Sequence, residues 1–382
     1  MAESKAAGYQ TQTIYQKRRT VVYDWMAREG ISLAMLEDSE GRRDSSIRYL
    51  CGMPADALLF LSVDRRAVLV PWDIHIAKLY ADADHLKPYA DFNRQPINAC
   101  VKTAELLKLA PNSRIELPAA TSYPLFLKYV EALSGYDAIC REDAGLAREL
   151  ETQRSVKDEA EIKIYRTAGK ITTLIAAQIE KMLRGGKIKT ETDAALFIEA
   201  ECRKHGCEST SFETLAAGPA RSFAIHAFPA WTAETFGGSG LSILDFGVKY
   251  GGYCTDVTLT IARSPTKAQE RLIALVEKAR KIVLSKIKAG YSSVDAALLV
   301  EGIFGRAHKS MPHALGHGIG LDPHETPVLR VREPGCILEK NMVLAIEPGL
   351  YDPVIGGCRL ENDYLVTEDG LEALTDTGIV YL

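Results

Sequence analysis

Residues 242–261 read SILDFGVKYGGYCTDVTLTI. Two β-prone runs flank Tyr250-Gly251-Gly252, the composition of a tight hairpin. With the turn centred between 250 and 251, Asp245 and Asp256 stand directly opposite on one face of the ladder, their Cβ atoms ~5 Å apart. Like charges so placed destabilise a sheet unless something positive lies between them, and a divalent cation removes the conflict. A bulged or longer turn is the alternative, and it leaves both aspartates solvated.

A second stretch repeats the pattern. In NMVLAIEPGLYDPVIGGCRLENDYLVTEDG at 341–370 an apolar run ends at Glu347. A further strand begins near Arg359 and carries Glu361, after a loop containing Pro353, Gly356 and Gly357. Glu347 follows Asp245 by 102 residues, and Glu361 follows Asp256 by 105. A carboxylate interrupting VLAI is costly to bury unless it is paired or bound to metal. The helical patterns keep the same spacing. Helices at 158–183 and 191–204 precede the first acid pair, and helices at 265–288 and 292–308 precede the second. The tetrapeptide DAAL begins at Asp193 and again at Asp295, 102 residues on. Two similar halves facing each other place a site on the pseudo-symmetry axis between them.

Between the acid pairs lies HALGHGIGLDPHETP at 313–327, with His313, His317 and His324, three of the chain's eight histidines. Glycines let the backbone approach a site closely. Histidine serves both as a ligand for borderline metals and as a proton shuttle. A single histidine is more often a surface or hydrogen-bonded core residue; the clustering favours function. Four carboxylates and one neutral imidazole carry the charge that balances two divalent ions. Carboxylate-rich ligation suits Mn, and one histidine admits Co, Fe or Zn. Two such ions ~3.5–4 Å apart hold a bridging hydroxide and polarise a carbonyl, as in known two-metal aminopeptidases.

The remainder of the chain sets bounds. A length of 382 residues suggests two domains. With 47% hydrophobic and 25% charged residues the chain has the composition of a folded soluble protein. A net charge of -4 excludes nucleic-acid binding by bulk charge. The longest apolar runs fall far short of the ~18 residues of a membrane helix. The N-terminus, MAESKAAGYQTQTIYQKRR, lacks the apolar core of a secretory signal, so the expected location is the cytoplasm. None of the eight cysteines forms a C-x-x-C pair, which points to free thiols. Cys202, His205 and Cys207 lack a partner cluster for a metal site.

Residues 13–29 look helical and stop at Gly30, and DALLFLSV and RAVLVP form a hairpin about Asp64-Arg65. Helix-like 98–109, strand-like 114–117 and helix-like 124–134 follow. This alternation indicates an α/β domain over 1–150. The polar stretch ETQRSVKDEAE at 151–161 separates it from a second domain, 151–382.

The order Asp245, Asp256, His317, Glu347, Glu361 resembles the ligand set of the pita-bread metallopeptidases, the superfamily of methionine aminopeptidase, aminopeptidase P, prolidase and the non-metal creatinase. The motifs carrying the resemblance are DFG…TD, GHGIGLDPHE, AIEPGLY and RLEN followed by LVTEDG, within about 150–375. The fold implied is an α/β N-terminal creatinase-like domain plus an α+β pita-bread C-terminal catalytic domain with an internal pseudo-two-fold repeat. The activity implied is that of a two-metal peptidase hydrolysing the Xaa-Pro bond, of the aminopeptidase P or prolidase type, with a metal-bridging hydroxide as nucleophile. Two divalent ions are implied, Mn or Co first, then Zn or Fe. So are a peptide substrate with proline at its second position and a homodimer, with neither nucleic acid nor membrane as partner.

The resemblance also implies roles. Asp245 chelates one metal, Asp256 and Glu361 bridge both, and His317 binds the second with help from Glu347. His226, in IHAFP, and His324, in the HE-x-P step, hydrogen-bond the substrate or the tetrahedral oxyanion. His313 lies four residues before the ligand histidine, as in Pro-specific members. Glu347 shuttles a proton to the leaving nitrogen, and Arg359 braces the last ligand strand and contacts substrate. Two departures stand out. Val328 follows Pro327 where some prolidases soon place an arginine, leaving Arg330 or Arg332 as substitutes. Asn362 replaces the acid of the commoner RIED. A creatinase-like metal-independent amidinohydrolase and a non-catalytic peptide-binding module are the competing readings. The first needs no five-ligand set, and the second typically loses ligands.

Overall fold

The computed structural model describes residues 12–332 and 334–382. Residues 1–11 of the N-terminal stretch considered for a leader lie outside the described residues. Among the described residues no helix is long and apolar enough to cross a membrane. The chain divides after Gln153 into two compact units.

The first unit opens with α1 (Ile14–Glu29). The Thr13 hydroxyl accepts from the Gln16 amide and the Gln16 side chain accepts from the Thr13 amide, while Gly30 closes the helix at φ 68°. There follow β1 (Leu33–Asp38), α2 (Ser46–Cys51), β2 (Ala57–Ser62), β3 (Arg66–Pro71), α3 (Ile74–Tyr80), β4 (His85–Leu86), α4 (Pro96–Leu106), β5 (Arg114–Glu116), α5 (Tyr123–Ala132) and β6 (Asp137–Ile139). β2 and β3 form the expected hairpin about Asp64-Arg65. The sheet order is β4-β3-β2-β1-β5-β6, antiparallel in the middle and parallel at both flanks. Alternate residues Leu33, Met35, Phe60 and Val68 bury one face against Ala99, Cys100 and Tyr129 of the covering helices. α6 (Leu146–Ser155) buries Leu146 and Leu150, so the polar stretch begins as helix rather than as linker.

In the second unit α7 (Glu159–Arg184) and α8 (Glu191–Lys204) precede β7 (Ser209–Thr210), β8 (Leu215–Ala217), β9 (Gly240–Phe246), β10 (Val248–Tyr250), β11 (Tyr253–Cys254) and β12 (Val257–Arg263). Then α9 (Lys267–Leu284) and α10 (Ser293–Gly305) precede β13 (Gly316–Gly318), β14 (Glu325–Leu329), β15 (Val343–Ile346), β16 (Gly349–Asp352), β17 (Gly356–Arg359), β18 (Asn362–Val366), β19 (Leu371–Ala373) and β20 (Ile379–Tyr381). The two main sheets run β20-β12-β9-β8 and β14-β13-β15-β18-β19. Each helix pair covers its own sheet. Ile175, Ile179 and Ile198 pack with Leu244, Phe246 and Leu259, and Val276, Val283 and Val300 pack with Leu344, Ile346 and Val366. The repeat extends to the backbone. Thr190 bridges Thr235 and Ser292 bridges Ile337, each partner of the second pair lying 102 residues beyond its counterpart.

The hairpin register differs from the expected one. Asp245 pairs with Thr258, not Asp256, and Tyr250 pairs with Tyr253. The turn is therefore Gly251-Gly252, with φ values of 57° and 88°. Both central positions of a type I′ turn need positive φ, which two glycines adopt without the strain Tyr250 would suffer. The shift moves Asp256 into the break between β11 and β12. Glu347 and Glu361 likewise sit at strand breaks, after β15 and after β17, rather than inside strands. The loop expected between them is largely a second hairpin, β16 with β17.

Candidate metal centre

Strand alternation sets the first ligand. Leu244 and Phe246 of β9 join the core under α7 and α8, while Ile243 packs with Leu215, Ala217 and Ala227. Asp245 shares the face of Ile243. On β12, Val257, Leu259 and Ile261 enter the helix-side core and Thr258 and Thr260 face the other way. There the Thr258 hydroxyl donates to Glu361 Oε2 at 2.7 Å and the Thr260 hydroxyl to the Arg359 carbonyl at 2.8 Å. These bonds join the two halves at the strand breaks that carry Asp256 and Glu361.

His317 lies in the middle of β13, paired on both sides. A Cβ at Gly316 would stand 2.1 Å from the Ala345 carbonyl oxygen, and one at Gly318 2.2 Å from that of Thr326. Only glycines permit the strand to lie this deep. His317 Nδ1 bonds the Gly318 carbonyl at 3.0 Å, which fixes the ring and leaves Nε2 toward the acids. Nε2 is 3.7 Å from Asp256 Oδ2 and 3.9 Å from Glu347 Oε1.

The five residues converge. Donor atoms of Asp245, Asp256 and Glu361 lie within 4.8 Å of one another, as do those of His317, Glu347 and Glu361. A third such group joins Asp256, His317 and His324, whose ring sits 4.2 Å from that of His317, centroid to centroid. Cys202, His205 and Cys207 form no such group among the described residues. His313 is near but outside. Its Nδ1 bonds the Ala314 carbonyl at 2.8 Å and lies 3.6 Å from Glu347 Oε2, and its Nε2 meets the Tyr351 hydroxyl at 3.0 Å. His226 is exposed on the 218–232 loop and belongs to none of the donor groups.

Electrostatics show a site built for added positive charge. Burial, then the neighbouring Glu361 and Asp245 carboxylates, push the Asp256 carboxyl well above the usual range. Burial and Glu347 do the same to Glu361, and burial lifts Glu347 to about 8. Burial holds His317 and His313 down to about 4 and lowers His324 as well, so all three are neutral near pH 7. Among the described residues Asp245 Oδ1 and Asp256 Oδ1 are buried without a hydrogen-bond partner. Orphaned anionic oxygens of this kind are costly unless a cation meets them. The donor set therefore fits divalent metal.

Several residues around the site escaped the sequence reading. Buried Asp363 accepts from the Asp256 amide at 3.0 Å and so fixes the break that carries this ligand. It follows Glu361 by two in an extended run, a spacing that already places both on one face. Tyr351 joins His313 to Arg359, whose Nη1 donates to its hydroxyl at 2.9 Å. Glu325, next to His324, accepts from Arg154 and from Lys157 Nζ, the latter at 3.5 Å. Val328, Arg330 and Arg332 are all exposed.

Residues 163–368, more than half of the chain, match metallopeptidase family M24. The chain belongs to this metallopeptidase family. An uncharacterized peptidase of Bacillus subtilis is 34% identical over 233 residues, which is 60% of this chain and 65% of that relative's own length. Among solved structures, an X-Pro aminopeptidase from Thermotoga maritima superposes with a TM-score of 0.82 at 25% identity, covering 96% of this chain and 99% of its own. An Xaa-Pro dipeptidase from Bacillus anthracis gives the same score and identity, covering 96% and 100%. As an M24 member the chain joins a creatinase-like α/β domain to an α+β pita-bread domain with an internal repeat.

Proposed function

We propose that this M24 chain is a two-metal peptidase that hydrolyses the Xaa-Pro peptide bond. The observation that carries this reading is the convergence of five donors from both halves of the repeat, with two buried carboxylate oxygens left unpartnered. Asp245, Asp256, His317, Glu347 and Glu361 would hold the ions. Asp256, His317 and Glu361 each belong to two of the three donor groups and would form the centre of the donor set. A divalent pair supplies Lewis acidity and a water that ionises near neutral pH. Mn or Co suits the carboxylate-rich set best.

The chain's own residues do the remaining work. Neutral His324, beside His317, presents a ring nitrogen to the scissile carbonyl oxygen and hydrogen-bonds the charge that develops there. His226 does the same from the opposite half. Glu347, a carboxylate once the ions are held, would take up the proton released by the attacking water and deliver it to the leaving nitrogen. His313 bonds the Tyr351 hydroxyl beside Glu347 and would hold that side of the site for the leaving group. The substrate class is a peptide with proline second, as the names of the Thermotoga and Bacillus anthracis proteins suggest.

The test is hydrolysis of an Xaa-Pro dipeptide, set against the same peptide extended or amidated at its C-terminus, with metal content measured alongside. Turnover should vanish on chelation and return with Mn or Co. Preference for the free dipeptide marks a dipeptidase, and tolerance of the extended peptide an aminopeptidase. Turnover indifferent to chelation would instead favour the metal-independent amidinohydrolase. Peptide binding without turnover, even with added metal, would favour a binding module.

A further inference from the structure

The 218–232 loop that presents His226 is tied at both feet to one carboxylate. Glu191, the first residue of α8, is 0% exposed. Its Oε1 accepts from the Gly218 amide at 2.7 Å. Its Oε2 accepts from Arg221 Nη1 at 2.6 Å, from the Thr232 amide at 2.7 Å and from the Thr232 hydroxyl at 2.6 Å. Arg221 in turn donates through Nη2 to the Pro229 carbonyl, three residues beyond His226. The carboxylate thus reaches the start of the loop, its end and, through Arg221, its far limb.

The second half of the internal repeat makes the corresponding backbone junction without a carboxylate. Glu191 N donates to Glu234 O at 3.0 Å, and Ser293 N donates to Cys336 O at 2.9 Å, the same backbone bond displaced by 102 residues. In the second half the side chain at this position is a hydroxyl, and among the described residues Ser293 Oγ accepts from the Cys336 amide at 3.0 Å. The backbone junction is common to both halves, while the four-donor carboxylate belongs only to the half whose loop carries His226. A fully buried carboxylate is expensive unless charge-assisted hydrogen bonds surround it, and here all four donors come from that loop.

We propose that Glu191 is a positioning residue: it staples both feet of the 218–232 loop and, with Arg221, fixes His226 for substrate. The proposal rests on the substrate role given to His226 above. Hydrogen exchange and kinetics on the metal-loaded full chain test it together. Glu191→Gln, an isosteric change that removes the charge and sets an amide against donors, should leave the metal content unchanged. It should speed amide exchange within 219–231 at least about tenfold relative to the 240–263 strands, and lower kcat/KM on an Xaa-Pro peptide about tenfold or more. His226→Ala should lower kcat/KM by itself, and Glu191→Gln added to it should cost little more. A merely structural role would give multiplicative losses in both backgrounds, and that result would overturn the proposal, as would unchanged exchange in the loop. Should Glu191→Gln fail to fold, Arg221→Met carries the same comparison while leaving three of the four donors in place. A parent chain without Xaa-Pro turnover would sink the functional reading, and loop exchange alone would then decide whether Glu191 holds the loop.

Discussion

Arg359 sets a guanidinium among the acids of the site, and it is 1% exposed. It donates to Asp245 Oδ2 at 2.5 Å, to the Thr258 hydroxyl at 2.9 Å, to Tyr351 and to the Ile225 carbonyl. Arg359 thus holds Oδ2 of Asp245, while Oδ1 is left without a hydrogen-bond partner. Arg359→Lys keeps the charge but cannot span these acceptors from a planar fork. We expect Mn affinity to weaken about 10–100-fold, read by titration of the metal-free protein; an unchanged affinity would show that Asp245 needs no such clamp. The sequence reading has Arg359 bracing the strand of the last ligand, whereas its shortest bond grips the first, from the opposite half. Local sequence cannot reveal a partner 114 positions away. Asn362 is clearer in hindsight. Its Nδ2 donates to the Thr377 carbonyl while its Oδ1 accepts from the Thr377 amide and the Thr375 hydroxyl. An aspartate cannot supply the donor, so this departure from RIED concerns the C-terminal tether, not the metal.

At the level of elements, helices were legible because capping and apolar period agree. The α8 reading coincides with Glu191–Lys204, where Thr190 and Asp193 complete a capping box. Strand register was not legible to the same degree, because it turns on which two residues take positive φ, and Tyr250-Gly251-Gly252 offers two choices. Each choice brings Asp245 and Asp256 near each other, so the register expected from sequence and the observed one both place these two acids together. The ligands at breaks were harder to foresee. A break frees a carboxylate from the pleat, but it leaves no period in the sequence. Gly252→Ala separates the two registers. With Gly252 at φ 88° the substitution should cost at least about 1 kcal/mol in urea unfolding, whereas a turn centred on Tyr250-Gly251 would make it nearly neutral.

Across the second unit, the first half contributes Asp245 and Asp256 and the second half His317, Glu347 and Glu361, so cations held by all five would cross-link the repeat. Without them the buried acids repel. Asp256 and Glu361 are pushed well up and Glu347 to about 8. Such groups contribute stability that is present at low pH and lost as pH rises; for Glu347 it is whole below about pH 4.5 and is lost as pH rises through about 8, and Asp256 and Glu361 act in the same sense. His313 and His317, held down to about 4, act in the opposite sense: their contribution is lost as pH falls from about 6.5 toward 4, and it is level above pH 7. In the window from pH 7 to 9 the carboxylates act together with the cysteine thiols, which burial also raises; the thiols weaken chelated and Mn-loaded protein alike, so the difference between the two isolates the carboxylates. Over it the melting temperature of the chelated protein should fall, on the order of 5 °C. Mn should raise it by an amount that grows with pH, because the ions replace the protons the acids would otherwise hold. Calorimetry of chelated and Mn-loaded samples reads both slopes. A Mn-induced rise that stays level from pH 7 to 9 would mean that the four acids do not share one electrostatic field, and the proposed two-metal centre would lose its physical basis.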